Sequence, residues 1–371
     1  MLKKLCLIIS LITLFAVGGL AQGTTAPAYL WVRGDLYRLD PTALTTEPLT
    51  ATGTVSNPVL SPEGTRIAYR QASQLGLDAL DRVQAEGEIA EIDLPADIIV
   101  LDLATDEAAT IATQPSDASL FVAGVPDKAI VRSAPAWSPD GQRLAWTEFD
   151  FGVDVPRLMI YDLSASTTSV LLPAINTPIT QGRSPEIRWG NGVFIINLSA
   201  DAAGEQSYLM VSEAGTMTAA PRIAPVVDDY VLDFYVVEGA QQTYAGLFYA
   251  SGRWTILDTQ TGVGVPFPDV PHLISRAAAD SSLRVRFDIT PDMGMFWEVL
   301  NSTMAFTGAP SRVTLAPDGQ AVAFIGYPTF NGAAIWQNET ITEIPNTGET
   351  DTEFEVGAVL WGANTWTIDL P

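Results

Sequence analysis

Residues 133–149 read SAPAWSPDGQRLAWTEF, and residues 56–72 carry a near-copy, SNPVLSPEGTRIAYRQA. Each copy describes two strands around a tight turn. In the first, Ser138-Pro139-Asp140-Gly141 has the turn chemistry: proline presets φ, glycine tolerates a positive φ, and serine can bond back to the backbone. Ser61-Pro62-Glu63-Gly64 repeats the arrangement. Beyond the turns, Leu144 and Trp146, or Ile67 and Tyr69, alternate onto one face of a strand. A single hairpin says little about a fold. A repeated one predicts a repeat architecture.

Further copies follow at intervals. TLAPDGQAVAFIG (314–326) keeps Pro317, Asp318 and Gly319, while RAAADSSLRVRFD (276–288) loses the glycine. EIRWGNGVFIINL (186–198), AVLWGANTWTIDL (358–370) and VLDFYVVEGAQQTYAGLFYA (231–250) keep only the strand–turn–strand form. Third-strand stretches such as DIIVLDLATDE (97–107) and RLMIYDLSAST (157–167) come next, then short fourth ones such as ATIAT (109–113). Units of roughly 40–50 residues with four short strands each are propeller blades. The expectation is an all-β, closed β-propeller with seven four-stranded blades. Six is the runner-up, because the copies near 237 and 278 are the weakest and would merge. The ends fit closure. Residues 357–370 read as a first and second strand, and residues 28–52 as a third and fourth, so together they make one blade. Between the second and third strands of the first full unit, 72–97 is an acidic insertion with one short helical stretch through Leu77, Leu80 and Gln84.

The motif also resembles something known. Pro135, Trp137, Ser138, Pro139, Asp140, Gly141 and Leu144 are similar to the WD-like β-propeller repeat of the TolB-like family, as exported bacterial proteins carry it. Pro58, Ser61, Pro62, Gly64 and Ile67 match it as well, and so do Pro317, Asp318, Gly319 and Phe324. The resemblance implies the fold. For function it implies only a range: periplasmic scaffolds, ligand-binding modules, or gating domains in front of a serine peptidase.

The start of the chain speaks to location. Lys3 and Lys4 precede LCLIISLITLFAVGGLA, which has the layout of a secretory signal peptide over residues 1–21, with cleavage after Ala21. Residues 22–371 then form a single propeller domain, periplasmic, secreted or held at the cell surface. A retained anchor is the alternative, and the run is short for one. Cys6, the only cysteine, falls inside the signal, so a thiolate metal site and disulfides are excluded from the mature chain. Acidic residues outnumber basic ones 43 to 19, for a net charge of −24. Removing the signal leaves Lys128 as the only lysine. Such a surface disfavours nucleic acid and anionic membrane, apart from the signal itself, and suits cationic partners or divalent ions.

Reactive motifs are few. No G-x-S-x-G elbow occurs, and His272 is the only histidine. Carboxylates remain. TEFDFGVDVP (147–156) places Glu148, Asp150 and Asp154 in what reads as one loop, a residue set that suits calcium. The insertion contributes Asp78, Asp81, Glu86, Glu88, Glu91 and Asp93 as partner-binding acids. The recurring tryptophans read as packing between blades, with a minority free to line the channel mouth. The expected function is an exported, non-enzymatic binding or scaffold propeller for a protein, peptide or glycan partner, needing no cofactor beyond possible calcium. The alternative is a propeller hydrolase or lyase using axial carboxylates.

Overall fold

The computed structural model describes residues 26–86, 94–119, 128–153, 155–176, 184–200, 204–265, 274–278, 283–290, 294–300, 305–307, 312–326, 332–345, 356–362 and 364–368. Residues 1–21 therefore lie outside the described part, as does His272.

The repeated turns form as their residue types dictate. Gly141 N donates to Ser138 O at 2.9 Å, Ser138 N to Arg143 O at 2.9 Å, and Arg143 N to the Ser138 hydroxyl at 2.9 Å. The first copy repeats these contacts: Gly64 N to Ser61 O at 2.9 Å, and Arg66 N to Ser61 Oγ at 3.0 Å. The third keeps Gly319 N to Ala316 O at 3.0 Å, with alanine in place of the hydroxyl. Gly64, Gly141 and Gly319 have φ of 73°, 68° and 63°, where a Cβ would be strained.

The fold is all-β, and its strands fall into antiparallel meanders. The second unit runs Val55–Leu60, Arg66–Ala72, Ala96–Asp102, Ala108–Ala112. In the third, Ile130–Arg132 and Ala136–Trp137 both pair with Arg143–Asp150, followed by Val155–Asp162 and Thr167–Leu172. The fourth is Glu186–Gly190, Val193–Ala200, Gln206–Ser212 and Met217–Ala219. The seventh runs Arg312–Leu315, Ala321–Ile325, Ala333–Gln337, Thr340–Glu343. The fifth (Val231–Glu238, Thr243–Tyr249, Trp254–Asp258) and the sixth (Ile274–Ala278, Arg284–Thr290, Gly294–Val299, Ala305–Thr307) belong to one eight-stranded sheet.

The ends of the chain share a sheet, but not as the sequence suggests. Val356–Leu360 pairs with Ala28–Val32, followed by Asp35–Asp40 and Thr45–Pro48. Residues 29–40 are two strands, turning at Arg33 and Gly34 with φ of 46° and 82°. The N-terminal segment thus fills three places, leaving one for the C-terminal segment. The expected hairpin at 358–370 is corrected accordingly. Asn364–Ile368 leaves this sheet and inserts between the fifth and sixth units, parallel to Val231–Glu238 and antiparallel to Ile274–Ala278. That insertion fuses the two units into the eight-stranded sheet.

Apolar cores lie between consecutive units. Tyr29 and Leu36 of the sheet shared by the chain ends, the first unit, pack with Ile67 and Tyr69 of the second. Ala68 and Ile98 meet Trp137 and Trp146, and Ala145 and Leu158 meet Trp189 and Phe194. Tyr208 and Met210 meet Phe234 and Leu247. One core spans the fifth, sixth and seventh units around Trp366. Ala323 and Ile335 of the seventh return to Leu30 and Val32 of the first. Trp146 and Trp361 are fully enclosed, as inter-unit packing requires.

The expected helical stretch in the insertion is an α-helix, Gln74–Glu86. Ser73 caps it, accepting from Gly76 N at 3.1 Å. A side chain at Gly76 would meet the Pro95 carbonyl at 2.2 Å, so glycine lets the helix dock closely on the returning chain.

Candidate functional site

The first strands of the units border a cavity of about 970 Å³, which the C-terminal strand Asn364–Ile368 also lines. Within an antiparallel meander, the connection between second and third strands lies on the face where the first strand begins. The helical insertion after Ala72 and the connection after Asp150 are both of this type. They therefore share a face with the starts of the first strands, where Glu186, Asp233, Arg276 and Arg312 line the cavity. The repeat turns, with Pro62 and Pro139, border its other end.

The cavity wall is charged and aromatic. Arg188 donates to Asp233 at 2.9 Å, lies 3.8 Å from Glu186, and stacks over the Phe234 ring at 4.5 Å. Glu238, at the other end of its strand, accepts from the Thr243 hydroxyl at 2.8 Å. Arg276 lies over the Trp366 ring at 5.8 Å and donates to the Val313 carbonyl. Its Nε has no partner among the described residues. Burial pulls the Arg276 pKa below the usual guanidinium value, against the opposing pull of Tyr235 and Asp233. Arg312 donates to the Gly357 carbonyl at 2.8 Å. Burial, then the Asp233 charge, pushes the Tyr235 hydroxyl well above its ordinary pKa. Tyr235 also packs against Trp366 at 5.2 Å, and Trp254 and Trp297 stand 5.0 and 5.9 Å from the same indole.

A second cluster ties the insertion to the third unit. Register places Arg132, Glu148 and Arg157 opposite one another on three adjacent strands. Glu148 accepts from Arg132 Nε at 3.2 Å, Arg157 Nε at 2.8 Å and the Trp146 indole at 3.2 Å. Arg132 also donates to the carbonyls of Ala96 at 2.6 Å and Thr113 at 2.8 Å, which clamps the end of the insertion to this sheet. Burial pulls the Arg132 pKa down, and the Glu148 carboxylate opposes it. Burial likewise raises Asp97, against the pull of Arg132 3.9 Å away.

This geometry revises the expected calcium loop. Glu148 and Asp150 belong to the strand Arg143–Asp150, and arginines occupy them: Asp150 stands 3.6 Å from Arg157. Asp154 lies outside the described residues. Among the described residues no three His, Cys, Asp or Glu side chains converge as a metal site. Of the expected partner-binding acids, Asp78 and Asp81 lie on the exposed side of the helix, opposite buried Gly76 and Ala79. Glu86 ends the helix, while Glu88, Glu91 and Asp93 lie outside the described residues. The turn residues Pro62, Gly64, Pro139, Asp140, Gly141, Pro317, Asp318 and Gly319 occupy the turns expected of them.

The arginines are what sequence reasoning missed. Arg132, Arg188, Arg276 and Arg312 each sit at or just before the first strand of a repeat copy. In a chain poor in basic residues, that recurrence was the available signal.

No protein-family model and no curated protein matches the sequence. Solved structures do resemble it. TolB from Acinetobacter baumannii is 14% identical with a TM-score of 0.39, over 92% of this chain and 66% of that one. The β-propeller domain of the Trilobed protease from Pyrococcus furiosus is 12% identical with a TM-score of 0.44, over 78% and 82%. Prolyl oligopeptidase B from Galerina marginata is 11% identical with a TM-score of 0.47, and the match spans 52% of that chain. The chain is thus similar to TolB and other β-propeller proteins, at levels that carry over neither substrate nor partner.

Proposed function

We propose that this protein is an exported, non-enzymatic binding module: a closed seven-bladed propeller that seats part of its partner in the central cavity. Seven blades are supported by apolar cores between successive units and by the return of Val356–Leu360 to Ala28–Val32. In this reading Asn364–Ile368 is a surplus strand that bonds two blades together. The observation that carries the function is the cavity itself, large enough for several residues of a partner and lined by rings and paired charges. Its charged mouth shares a face with the acidic insertion. The exposed Asp78 and Asp81 of the helix then stand on a rim that draws a basic segment towards the mouth. The hydrolase or lyase reading has less support, because Arg188 holds Asp233 and Thr243 holds Glu238.

Capture from a cell-envelope extract tests this reading with three forms of the mature protein. They are the wild type, Ala134→Trp to fill the cavity, and a form with residues 75–93 replaced by a short turn. The cavity-filled form should lose partners that the wild type retains, and the shortened form should associate more slowly. Identical recovery by all three would discard the cavity and the rim together.

A further inference from the structure

We infer that Arg276 and Arg312 form a carboxylate-binding wall, and that the cavity's ligand is a peptide presenting a free carboxylate. This rests on the cavity being the binding site proposed above. Three arginines and three carboxylates line it, in a chain whose acidic residues outnumber basic ones 43 to 19. The cavity is therefore far less acidic than the molecule around it. Its charges are also unevenly satisfied. Arg188 is taken by Asp233 and Glu186. Arg276 and Arg312, on the first strands of adjacent units, reach only backbone carbonyls among the described residues, those of Val313 and Gly357.

Burial is the main cause that lowers the Arg276 pKa, Tyr235 and Asp233 oppose it, and the like charge of Arg312 adds a smaller lowering. A carboxylate reaching both side chains in the cavity gains charge-assisted hydrogen bonds that backbone carbonyls do not supply, and the planar guanidinium is well shaped for them. Beside them, the half-buried Tyr235 ring and the Trp366 indole offer an apolar surface for the body of the ligand. The net charge of −24 argues for the class. A polyanion such as an oligouronate is repelled on approach, whereas a peptide can carry one carboxylate into the cavity and cationic groups past the acidic rim.

The test uses the full mature chain and a random hexapeptide pool, offered once with free C-termini and once amidated, with retained peptides counted by mass spectrometry. The free-acid pool should be retained about tenfold or more over the amidated pool, with the difference falling at high salt. Arg312→Gln, at an exposed position, should abolish the difference, and Arg312→Lys should restore part of it. Arg276→Gln should act likewise, with its melting curve reporting any loss of fold. Trigalacturonate serves as a competitor, and stronger competition by it than by the peptides would show the class to be wrong. Equal retention of acid and amide pools, still blocked by Ala134→Trp, would overturn the carboxylate wall and leave the cavity reading standing. No retention of either pool would overturn this inference. Retention that Ala134→Trp leaves unchanged would remove both readings.

Discussion

Two stretches of this chain look alike and end differently. Residues 133–149 fold back on themselves as a hairpin, whereas residues 358–368 send their two halves into different sheets. The difference begins in the turns. At Ser138 the bonds are local: its hydroxyl and backbone close on Arg143, and Asp140 accepts from Gln142 N at 3.0 Å. At Trp361-Gly362-Ala363-Asn364 no serine or aspartate gathers the backbone. The Asn364 amide donates locally to Trp361 O at 2.9 Å and Gly362 O at 3.3 Å, and it also reaches another unit, accepting from Leu315 N at 2.7 Å and donating to Leu315 O at 3.0 Å. Trp366 then enters a cluster of rings from the fifth and sixth units. The bonds of one turn stay within its own sequence, whereas those of the other are divided between its own backbone and a distant unit.

That contrast can be broken from either side. The largest effect belongs to the strand leaving the 138–142 turn, where Glu148 neutralises two arginines and its side chain is only 4% exposed. Glu148→Ala leaves the buried Arg132 with only the more distant Asp97, 3.9 Å away, as counter-charge, and urea unfolding should show a loss of about 3 kcal/mol. Replacing the pair together, as Arg132→Met with Glu148→Leu, should recover much of it, because two desolvated charges disappear at once. If these carboxylates held calcium instead, adding calcium would raise the wild-type melting temperature and leave Glu148→Ala unmoved.

Next comes Trp366→Ala, which empties the ring cluster joining two units and should cost no more, about 3 kcal/mol. The loss should appear as early hydrogen exchange in strands 231–238 and 274–278, while strands 143–150 stay protected. Uniform exchange across the chain would mean that Trp366 is not a local joint. Asn364→Ala should follow at about 2 kcal/mol, since it strands the buried Leu315 backbone groups. Ser138→Ala should cost only about 1 kcal/mol, because the Gly141 and Arg143 backbone bonds remain to close that turn.

The same distinction explains what could be read in advance. The repeated hairpins were legible because turn chemistry and alternation act over neighbouring residues, as at Ser61 and Ser138. Membership of the chain ends in one sheet was legible from the count of strand-like stretches. Which end supplied which strands was not, because the Arg33-Gly34 turn lacks the repeat motif. The path of Asn364–Ile368 depends on Leu315, Tyr235 and Trp297, which lie far off in sequence. Glu148 was read as a loop ligand because the register that sets it between Arg132 and Arg157 exists only once three strands have paired. A channel mouth was expected, but its lining was not legible for the same reason, since it is assembled from strands and turns of every unit.

The smallest expected effect separates the two stretches by pH. The Ser138 hydroxyl at 2.5 Å, and then the Gln142 amide, hold the Asp140 carboxyl below the usual aspartate value of 3.8. A carboxyl depressed in the folded state stabilises the fold above its unfolded pKa, and that contribution is lost as pH falls through the lower folded value. The deficit of Asp140→Asn against wild type should therefore be full at about pH 6 and shrink steadily below about pH 4. The deficit of Trp366→Ala involves no carboxylate and should stay level over the same range. Paired urea titrations at each pH measure both. A level Asp140→Asn deficit would mean that the carboxylate's bonds to Ser138 and Gln142 do not set the turn, leaving proline and glycine geometry to make the hairpin.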